Sequence, residues 1–235
     1  MLNRKASSAD YKGPPIRWTL AEQVSPGAAA VLIVDMQVDF VADDGVLGRR
    51  GVNMAAARQV IPRVNALVDE ARAAGIPVIW IRTTHRLSDS PPPYLAMYMP
   101  AGREGRWDEG ELPACEGSPG AEPHPEVVPA REDELVVVKR TYSAFYGTPL
   151  AQILTALGLE TIILAGVNTN VCIHATAADA FFQGWYPVLC SDACATAEPA
   201  IQDAFLATHE RFYGLTATVE ELARVWRSVE APVAS

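Results

Sequence analysis

Three residues whose side chains could act together in acyl transfer each follow an apolar segment of the chain: Asp35, Lys139 and Cys172. Cys172 lies just after Gly166, where a buried strand is predicted to end and an alanine-rich helix to begin. A helix N-terminus carries partial positive charge and unpaired N–H groups, so it favours a thiolate and can bind an oxyanion. Cys172 is therefore a candidate nucleophile, although a buried structural cysteine would also fit this segment.

A carboxylate, an ammonium group and a thiol can together cleave an amide. The carboxylate of Asp35 would accept the thiol proton, the ammonium of Lys139 would favour the anionic forms, and the thiolate would attack a carbonyl carbon. Asp35 could then return the proton to a leaving amine. Taken singly, Asp35 could be a turn residue and Lys139 a solvated lysine, so the inference depends on their coming together in the fold.

The elements that must position these residues follow from the hydrophobic pattern. Apolar runs predict strands at 29–34, 77–81, 135–138, 161–165, 186–189 and 215–219. Helical spacing predicts helices at 55–74, 148–157, 172–183 and 199–211, with a further helix at the end of the chain. This alternation indicates an α/β protein with a parallel sheet covered on both faces, in which ligands bind at the carboxyl ends of the strands.

The chain of 235 residues is long enough for one large domain, which we expect over residues 29–235. Residues 1–28 show little periodicity and are predicted to form an irregular N-terminal arm. Residues 83–131 are rich in Pro, Gly, Glu and Arg, which predicts a long insertion that covers or shapes the site.

Composition excludes several classes of function. Nineteen Lys and Arg against 28 Asp and Glu give a net charge of −9, which argues against nucleic-acid partners and anionic membranes. No signal peptide or membrane-spanning segment is expected, so a cytoplasmic protein is predicted. The four cysteines do not suggest a disulfide framework, and Cys190 and Cys194 are interpreted as structural. A thiol-based redox protein that pairs Cys172 with one of them is an open alternative.

Three segments in the correct order resemble the isochorismatase-like cysteine hydrolases. They are Val31–Phe40 (VLIVDMQVDF), Lys139–Leu150 (KRTYSAFYGTPL) and Gly166–Cys172 (GVNTNVC). The resemblance implies a three-layer α/β/α sandwich with a six-stranded, mostly parallel sheet in the order 3-2-1-4-5-6. It also implies a catalytic triad of Asp35, Lys139 and Cys172. A cis peptide bond is implied at Val167–Asn168, which would direct the N–H of Asn168, with that of Cys172, toward the oxyanion.

Within this family, a cysteine at position 172 implies hydrolysis of a C–N bond through a thioester. The second and third segments are most similar to the branch of ureidoacrylate and N-carbamoyl amidohydrolases, which implies a small amide, ureido or carbamoyl substrate and the release of ammonia. Nicotinamidases of the family carry an Asp-x-His metal site after the second strand, whereas this chain has Arg82-Thr-Thr-His85. No metal and no other cofactor are therefore expected.

Other residues near these segments are candidates for substrate binding, although each could equally belong to the core or the surface. By analogy with the family, they are Phe40, His85, Tyr142, Phe145, Tyr146, Asn170 and His174. An arginine that binds an acid group of the substrate could be Arg82, Arg86, Arg103, Arg106 or Arg140. The resemblance and the N-terminal arm favour a homodimer or homotetramer. Alternatives are an isochorismatase-type or nicotinamidase-type hydrolase, and a family member without turnover that acts as a binding or scaffold protein.

Overall fold

The computed structural model describes residues 11–98 and 111–228. Its six strands are β1 (Ala29–Val34), β2 (Val78–Thr83), β3 (Leu135–Lys139), β4 (Thr161–Val167), β5 (Tyr186–Ala195) and β6 (Leu215–Ala217). The helices before β3 are α1 (Leu20–Gln23), α2 (Val38–Val41), α3 (Val46–Arg49), α4 (Ala55–Gln59), α5 (Ile61–Ala73) and α6 (Pro92–Tyr98). Those after β3 are α7 (Leu150–Ala156), α8 (His174–Phe182), α9 (Pro199–Phe212) and α10 (Val219–Ser228).

The six strands form one sheet in the order β3-β2-β1-β4-β5-β6, and all neighbouring strands run parallel. This topology confirms the parallel α/β fold predicted from the hydrophobic pattern and the strand order that the family resemblance implies. β1 is paired over its length with β4, from Ala29 opposite Thr161 to Val34 opposite Gly166. The order reverses at β1, so the crevice at the carboxyl ends of β1 and β4 is the place where such sheets bind ligands.

Two apolar layers cover the sheet, one on each face. On β1, alternate residues such as Val31 and Ile33 face the layer that contains α5 and α10. The residues between them, such as Leu32 and Val34, face the layer that contains α7 and α8. β1 is completely buried because both faces are covered, which explains why its sequence is apolar without alternation.

Edge strand β3 differs from the expectation that every strand is buried on both faces. Leu135, Val136 and Val138 are 43–49% exposed, whereas Val137 and Lys139 are buried. β3 has a neighbour on one side only, and the described residues cover one of its faces incompletely. Its apolar sequence therefore reflects β propensity as well as burial.

Several predicted boundaries were wrong for local reasons. The single helix predicted at 55–74 is divided into α4 and α5, because Pro62 lies in the first turn of α5 and cannot donate an N–H to the preceding turn. β5 runs to Ala195 instead of ending at residue 189, and it bulges between Leu189 and Cys194. The predicted irregular arm contains α1, whose N-terminus is capped by reciprocal bonds between Thr19 and Glu22. Residues 1–10 of that arm lie outside the described part of the chain.

The predicted insertion, residues 83–131, packs against the carboxyl ends of β1 and β2. Its described part contains α6 and a 3₁₀ turn at Pro119–Ala121. It also forms two isolated bridges, one between Gln37 and Pro123 and one between His85 and Cys115. No helix within residues 11–98 and 111–228 is long and apolar enough to cross a membrane.

Candidate active site

The strand order brings Asp35, Lys139 and Cys172 to one edge of the sheet. Asp35 directly follows β1, Lys139 is the last residue of β3, and Cys172 lies in a turn after β4. Asp35 has a φ of 53°, a left-handed conformation that aspartate tolerates better than most residues. Its backbone N–H donates to the carbonyl of Ile81 on β2, 3.0 Å away, so Asp35 is still hydrogen-bonded to β2.

Lys139 lies between the other two side chains. Its Nζ is 2.8 Å from Asp35 Oδ2 and 3.5 Å from Cys172 Sγ, and it also donates to the carbonyl of Thr141 at 3.1 Å. Lys139 and Asp35 are both buried. A buried ammonium and a buried carboxylate in direct contact form an ion pair, because either charge alone would be costly in this environment.

The electrostatics of the site favour a neutral thiol beside this ion pair. Burial and the negative charge of Asp35 raise the pKa of Cys172 to about 12, while Lys139 acts in the opposite direction. Burial lowers the pKa of Lys139, but the charge of Asp35 and the sulfur of Cys172 outweigh that effect, so the pKa is raised overall. Near neutral pH the resting site therefore holds an ammonium, a carboxylate and a thiol.

The end of β4, just before the turn that carries Cys172, is closely packed against β1. Gly166 has a φ of 115°, and a Cβ there would lie 2.1 Å from the carbonyl oxygen of Val34, so only glycine fits. The peptide bond between Val167 and Asn168 is cis, at the position that the family resemblance implies. A π-helical turn, Thr169–Ile173, then leads into α8. The Asn168 carbonyl accepts hydrogen bonds from the N–H groups of Val171 and Ile173.

Thr83 completes the contacts around the ion pair, and the sequence analysis did not identify it as a site residue. Its Oγ1 lies 2.5 Å from Lys139 Nζ and 2.8 Å from Asp35 Oδ1. Thr83 is the last residue of β2, whose predicted end was Ile81. One signal in the sequence could have identified Thr83. It lies just after the predicted end of the second strand, at the same edge of the sheet as Asp35 and Lys139.

Gln37 is a second residue that sequence reasoning missed, although it belongs to the first of the three family-like segments. Its side-chain amide pairs with the backbone of Thr83: Oε1 accepts from the Thr83 N–H and Nε2 donates to the Thr83 carbonyl, both at 2.8 Å. Nε2 also donates to the carbonyl of Ala121 at 2.6 Å. Gln37 therefore connects β2 to the insertion directly beside the ion pair.

A cluster of rings lies next to Cys172. The ring of Tyr94 is 4.6 Å from that of His85, 4.8 Å from that of Tyr98 and 5.3 Å from that of Tyr142. Burial and the proximity of Cys172 raise the pKa values of Tyr94 and Tyr98, so both phenols remain protonated. Tyr94 and Tyr98 come from α6 in the insertion, and the sequence analysis did not single them out.

The ring of His85 contacts that of Tyr94, and His85 is completely buried. Its Nδ1 is 2.6 Å from the carbonyl of Pro113, and burial lowers its pKa. A carbonyl only accepts, so Nδ1 carries the proton of the neutral ring and Nε2 is an acceptor. Within the described residues, Nε2 has no hydrogen-bond partner.

The other candidates for substrate binding lie in different surroundings. Phe40 is buried in the core layer that contains α5, and Phe145 stacks on Trp185 at 5.2 Å. His174 contacts the rings of Phe205 and Tyr213, with centroids 4.9 and 5.4 Å away. The Asn170 Oδ1 accepts from Thr196 at 2.7 Å, and Tyr146 is 70% exposed. Their roles toward a substrate stay predictions.

Two of the candidate arginines, Arg86 and Arg140, belong to a partly exposed ion-pair network with Asp89 and Glu116. Arg140 lies 3.6 Å from Asp89 and 3.8 Å from Glu116, and it donates to the carbonyl of Thr84 at 3.2 Å. Arg86 pairs with the same two carboxylates. Arg82 is half-buried on β2, while Arg103 and Arg106 lie outside the described residues.

All four cysteines are free. Cys190 belongs to the core layer on one face of the sheet and Cys194 to the layer on the other, because the bulge in β5 lies between them. Over residues 11–98 and 111–228, no three His, Cys, Asp or Glu side chains converge as a group that could hold a metal ion.

Comparisons with known proteins bear on this geometry. The Isochorismatase domain family matches residues 29–233, which is most of the chain. The chain belongs to the isochorismatase family. It is 32% identical over 218 residues to the ureidoacrylate amidohydrolase of Klebsiella pneumoniae, covering 89% of this chain and 91% of that protein. As a member of this family, the protein is a hydrolase.

Solved structures agree with this assignment. A cysteine hydrolase from Pseudomonas syringae superposes with a TM-score of 0.76 and 25% identity, covering 93% of this chain and 99% of that one. An N-carbamoylsarcosine amidase from Thermoplasma acidophilum superposes with a TM-score of 0.64 and 25% identity, covering 87% and 99%. The six-stranded sheet is thus the fold of isochorismatase-like hydrolases.

Proposed function

We propose that the protein hydrolyses a C–N bond in a small amide or ureido/carbamoyl compound through a thioester on Cys172, releasing ammonia. The observation that carries this proposal is the contact of the Cys172 sulfur with the buried Lys139–Asp35 ion pair, 3.5 Å from Lys139 Nζ. The similarity to an amidohydrolase and an amidase supports the choice of bond.

In the first step, the thiol proton passes to the carboxylate of Asp35 as the sulfur attacks the substrate carbonyl carbon. A thiol whose pKa is about 12 is a poor nucleophile at rest, so proton transfer must accompany attack. The Lys139 ammonium lies beside both groups and stabilises the negative charge as it moves to the sulfur.

In the second step, the tetrahedral intermediate collapses. We assign its oxyanion to the backbone N–H groups of Asn168 and Cys172, in the turn after β4. The proton held by Asp35 passes to the leaving nitrogen, which departs as ammonia. Water then attacks the thioester with Asp35 as the base, restoring the thiol and releasing the acid; a carbamic acid product would decompose to carbon dioxide and more ammonia.

The rings of Tyr94, Tyr98 and Tyr142 are the proposed wall for the rest of the substrate. A flat, small group such as a ureido unit could stack on such rings. The free acceptor of His85 beside Tyr94 would suit an N–H donor, which amide and ureido compounds carry. We therefore expect planar N–H-bearing substrates to be preferred over esters of similar size.

The decisive experiment measures ammonia release from ureido acids, N-carbamoyl amino acids, biuret, nicotinamide and simple primary amides. The wild-type protein is compared with Cys172→Ala, with and without a metal chelator. Turnover by the wild type that is lost in Cys172→Ala and unchanged by the chelator would support the proposal. Turnover that survives Cys172→Ala, or no turnover with any compound, would contradict it.

A further inference from the structure

Thr83 closes a hydrogen-bonded triangle with Lys139 and Asp35. Lys139 Nζ contacts Thr83 Oγ1 at 2.5 Å and Asp35 Oδ2 at 2.8 Å, while Thr83 Oγ1 contacts Asp35 Oδ1 at 2.8 Å. All three side chains are almost completely buried, and Thr83 is only 2% exposed. The hydroxyl of Thr83 therefore contacts both charged groups of the buried ion pair.

The direction of each bond in the triangle follows by elimination. The Lys139 ammonium has no acceptor, so Thr83 Oγ1 accepts from Nζ. The single hydroxyl proton of Thr83 is then left for Asp35 Oδ1, which as a carboxylate oxygen only accepts. Both oxygens of Asp35 are thus engaged, and the thiol of Cys172 approaches a carboxylate that is already fixed in orientation.

We propose that Thr83 is a positioning residue of the hydrolase, whose hydroxyl fixes the Asp35 carboxylate and the Lys139 ammonium in the arrangement that receives the Cys172 proton. The inference rests on the proposed function, because it assigns Thr83 a part in the proton transfer. Thr83 does not touch the substrate in this mechanism; it acts through Asp35 and Lys139.

The backbone of Thr83 is fixed independently of its hydroxyl. The side chain of Gln37 pairs with both the N–H and the carbonyl of Thr83, and neither bond involves Oγ1. The loss of the hydroxyl alone should therefore leave β2 in place. This separation makes the role of Oγ1 testable without removing the strand.

Other titratable groups lie around the site, but among the described residues the hydrogen bonds of Thr83 Oγ1 go to Lys139 and Asp35. Cys172 comes from the turn after β4, His85 and Arg140 follow the ends of β2 and β3, and Tyr94 and Tyr98 come from α6. His85 is neutral because burial lowers its pKa, and the two phenols stay protonated. The charged groups in direct contact with the hydroxyl of Thr83 are therefore those of Lys139 and Asp35.

The test compares Thr83→Val, which keeps the shape and loses the hydroxyl, with Thr83→Ser, which keeps the hydroxyl. We expect kcat to fall about 10- to 100-fold in Thr83→Val, the loss typical of a hydrogen bond to a charged group, with KM little changed. Thr83→Ser should remain within about threefold of the wild type.

A second readout needs no substrate. The rate at which iodoacetamide alkylates Cys172 should fall several-fold in Thr83→Val but not in Thr83→Ser, because the ammonium is no longer fixed beside Sγ. If Thr83→Val does not fold, Thr83→Ala replaces it in both measurements. Equal alkylation rates and equal kcat values in all variants would overturn the inference, even if ammonia release supports the proposed function. Changed alkylation without turnover by the wild type would instead overturn the proposed function alone.

Discussion

Lys139 Nζ lies 2.8 Å from Asp35 Oδ2, and the two charged groups come from strands separated in the sheet by β2. The contact is possible because Asp35 leaves β1 in a left-handed conformation, while Lys139 is the last residue of the edge strand. This ion pair is buried at the edge of the sheet where Cys172 also lies. Its cost in desolvation makes it a poor source of stability, which is consistent with a functional role.

Removal of one partner should therefore be more harmful than removal of both. We expect Lys139→Met to lower the free energy of unfolding by about 3–5 kcal/mol, because Asp35 is left as an unpaired buried charge. The double variant Lys139→Met/Asp35→Asn should recover a large part of that loss, and Asn tolerates the φ of 53°. Urea unfolding at pH 7 measures both. A double variant as unstable as the single one would contradict the prediction.

The thiol of Cys172 should react as a protonated group in the free protein. Burial and the charge of Asp35 raise its pKa to about 12, so the thiolate fraction rises with pH throughout the accessible range. We expect the rate of alkylation by iodoacetamide to increase steadily from pH 7 to about pH 10 without a plateau. Cys172→Ala provides the background from the three buried cysteines. A plateau already reached near pH 8 would show that the resting site holds a thiolate.

Much of the fold and the centre of the site could be predicted from the sequence. Completely apolar segments such as Ala29–Val34 identify buried parallel strands, and in such a sheet Asp35 must lie at the carboxyl edge. The same pattern failed at the end of β2, where Arg82 and Thr83 are polar although the strand continues through them. Hydrophobic periodicity cannot detect a strand end that is polar because it faces a site, so Thr83 was missed.

The insertion was the least predictable part, for a different physical reason. The packing of Tyr94 against His85 and Tyr142 depends on contacts between residues far apart in the chain, and no local pattern encodes them. The pairing of Gln37 with the backbone of Thr83 is equally non-local. A polar segment with many Pro and Gly residues signals irregular structure but not where that structure packs.

Asp39 should be essential for the position of the insertion. Its buried carboxylate accepts hydrogen bonds from the N–H groups of Val46 and Ala114, at 2.7 and 2.8 Å. In Asp39→Asn the amide group would face one of these N–H groups, and we expect a loss of about 1–3 kcal/mol in the free energy of unfolding. Because Ala114 follows Pro113, whose carbonyl contacts His85, the ring cluster should also be disturbed.

Gly120→Ala tests the packing of the 3₁₀ turn Pro119–Ala121 against the side chain of Asp39. A Cβ at position 120 would lie 2.0 Å from Asp39 Oδ2, so the 3₁₀ turn or the carboxylate must move. We expect a destabilisation similar to that of Asp39→Asn, measured by urea unfolding. Pro119→Ala, in the same turn, is the control and should be milder. Wild-type stability in Gly120→Ala would mean that the turn does not pack on Asp39.

Tyr94 should affect substrate binding more than the chemical step, because its ring lies between those of His85, Tyr98 and Tyr142 and not in the triangle of Thr83, Lys139 and Asp35. Tyr94→Leu removes the ring that we expect a planar substrate to contact, so KM for ammonia release should rise about tenfold, with a smaller change in kcat. Tyr94→Phe retains the ring and separates its contribution from that of the hydroxyl. If Tyr94→Phe behaves like Tyr94→Leu, the hydroxyl rather than the ring binds the substrate; if neither variant changes KM, the cluster is not the substrate wall.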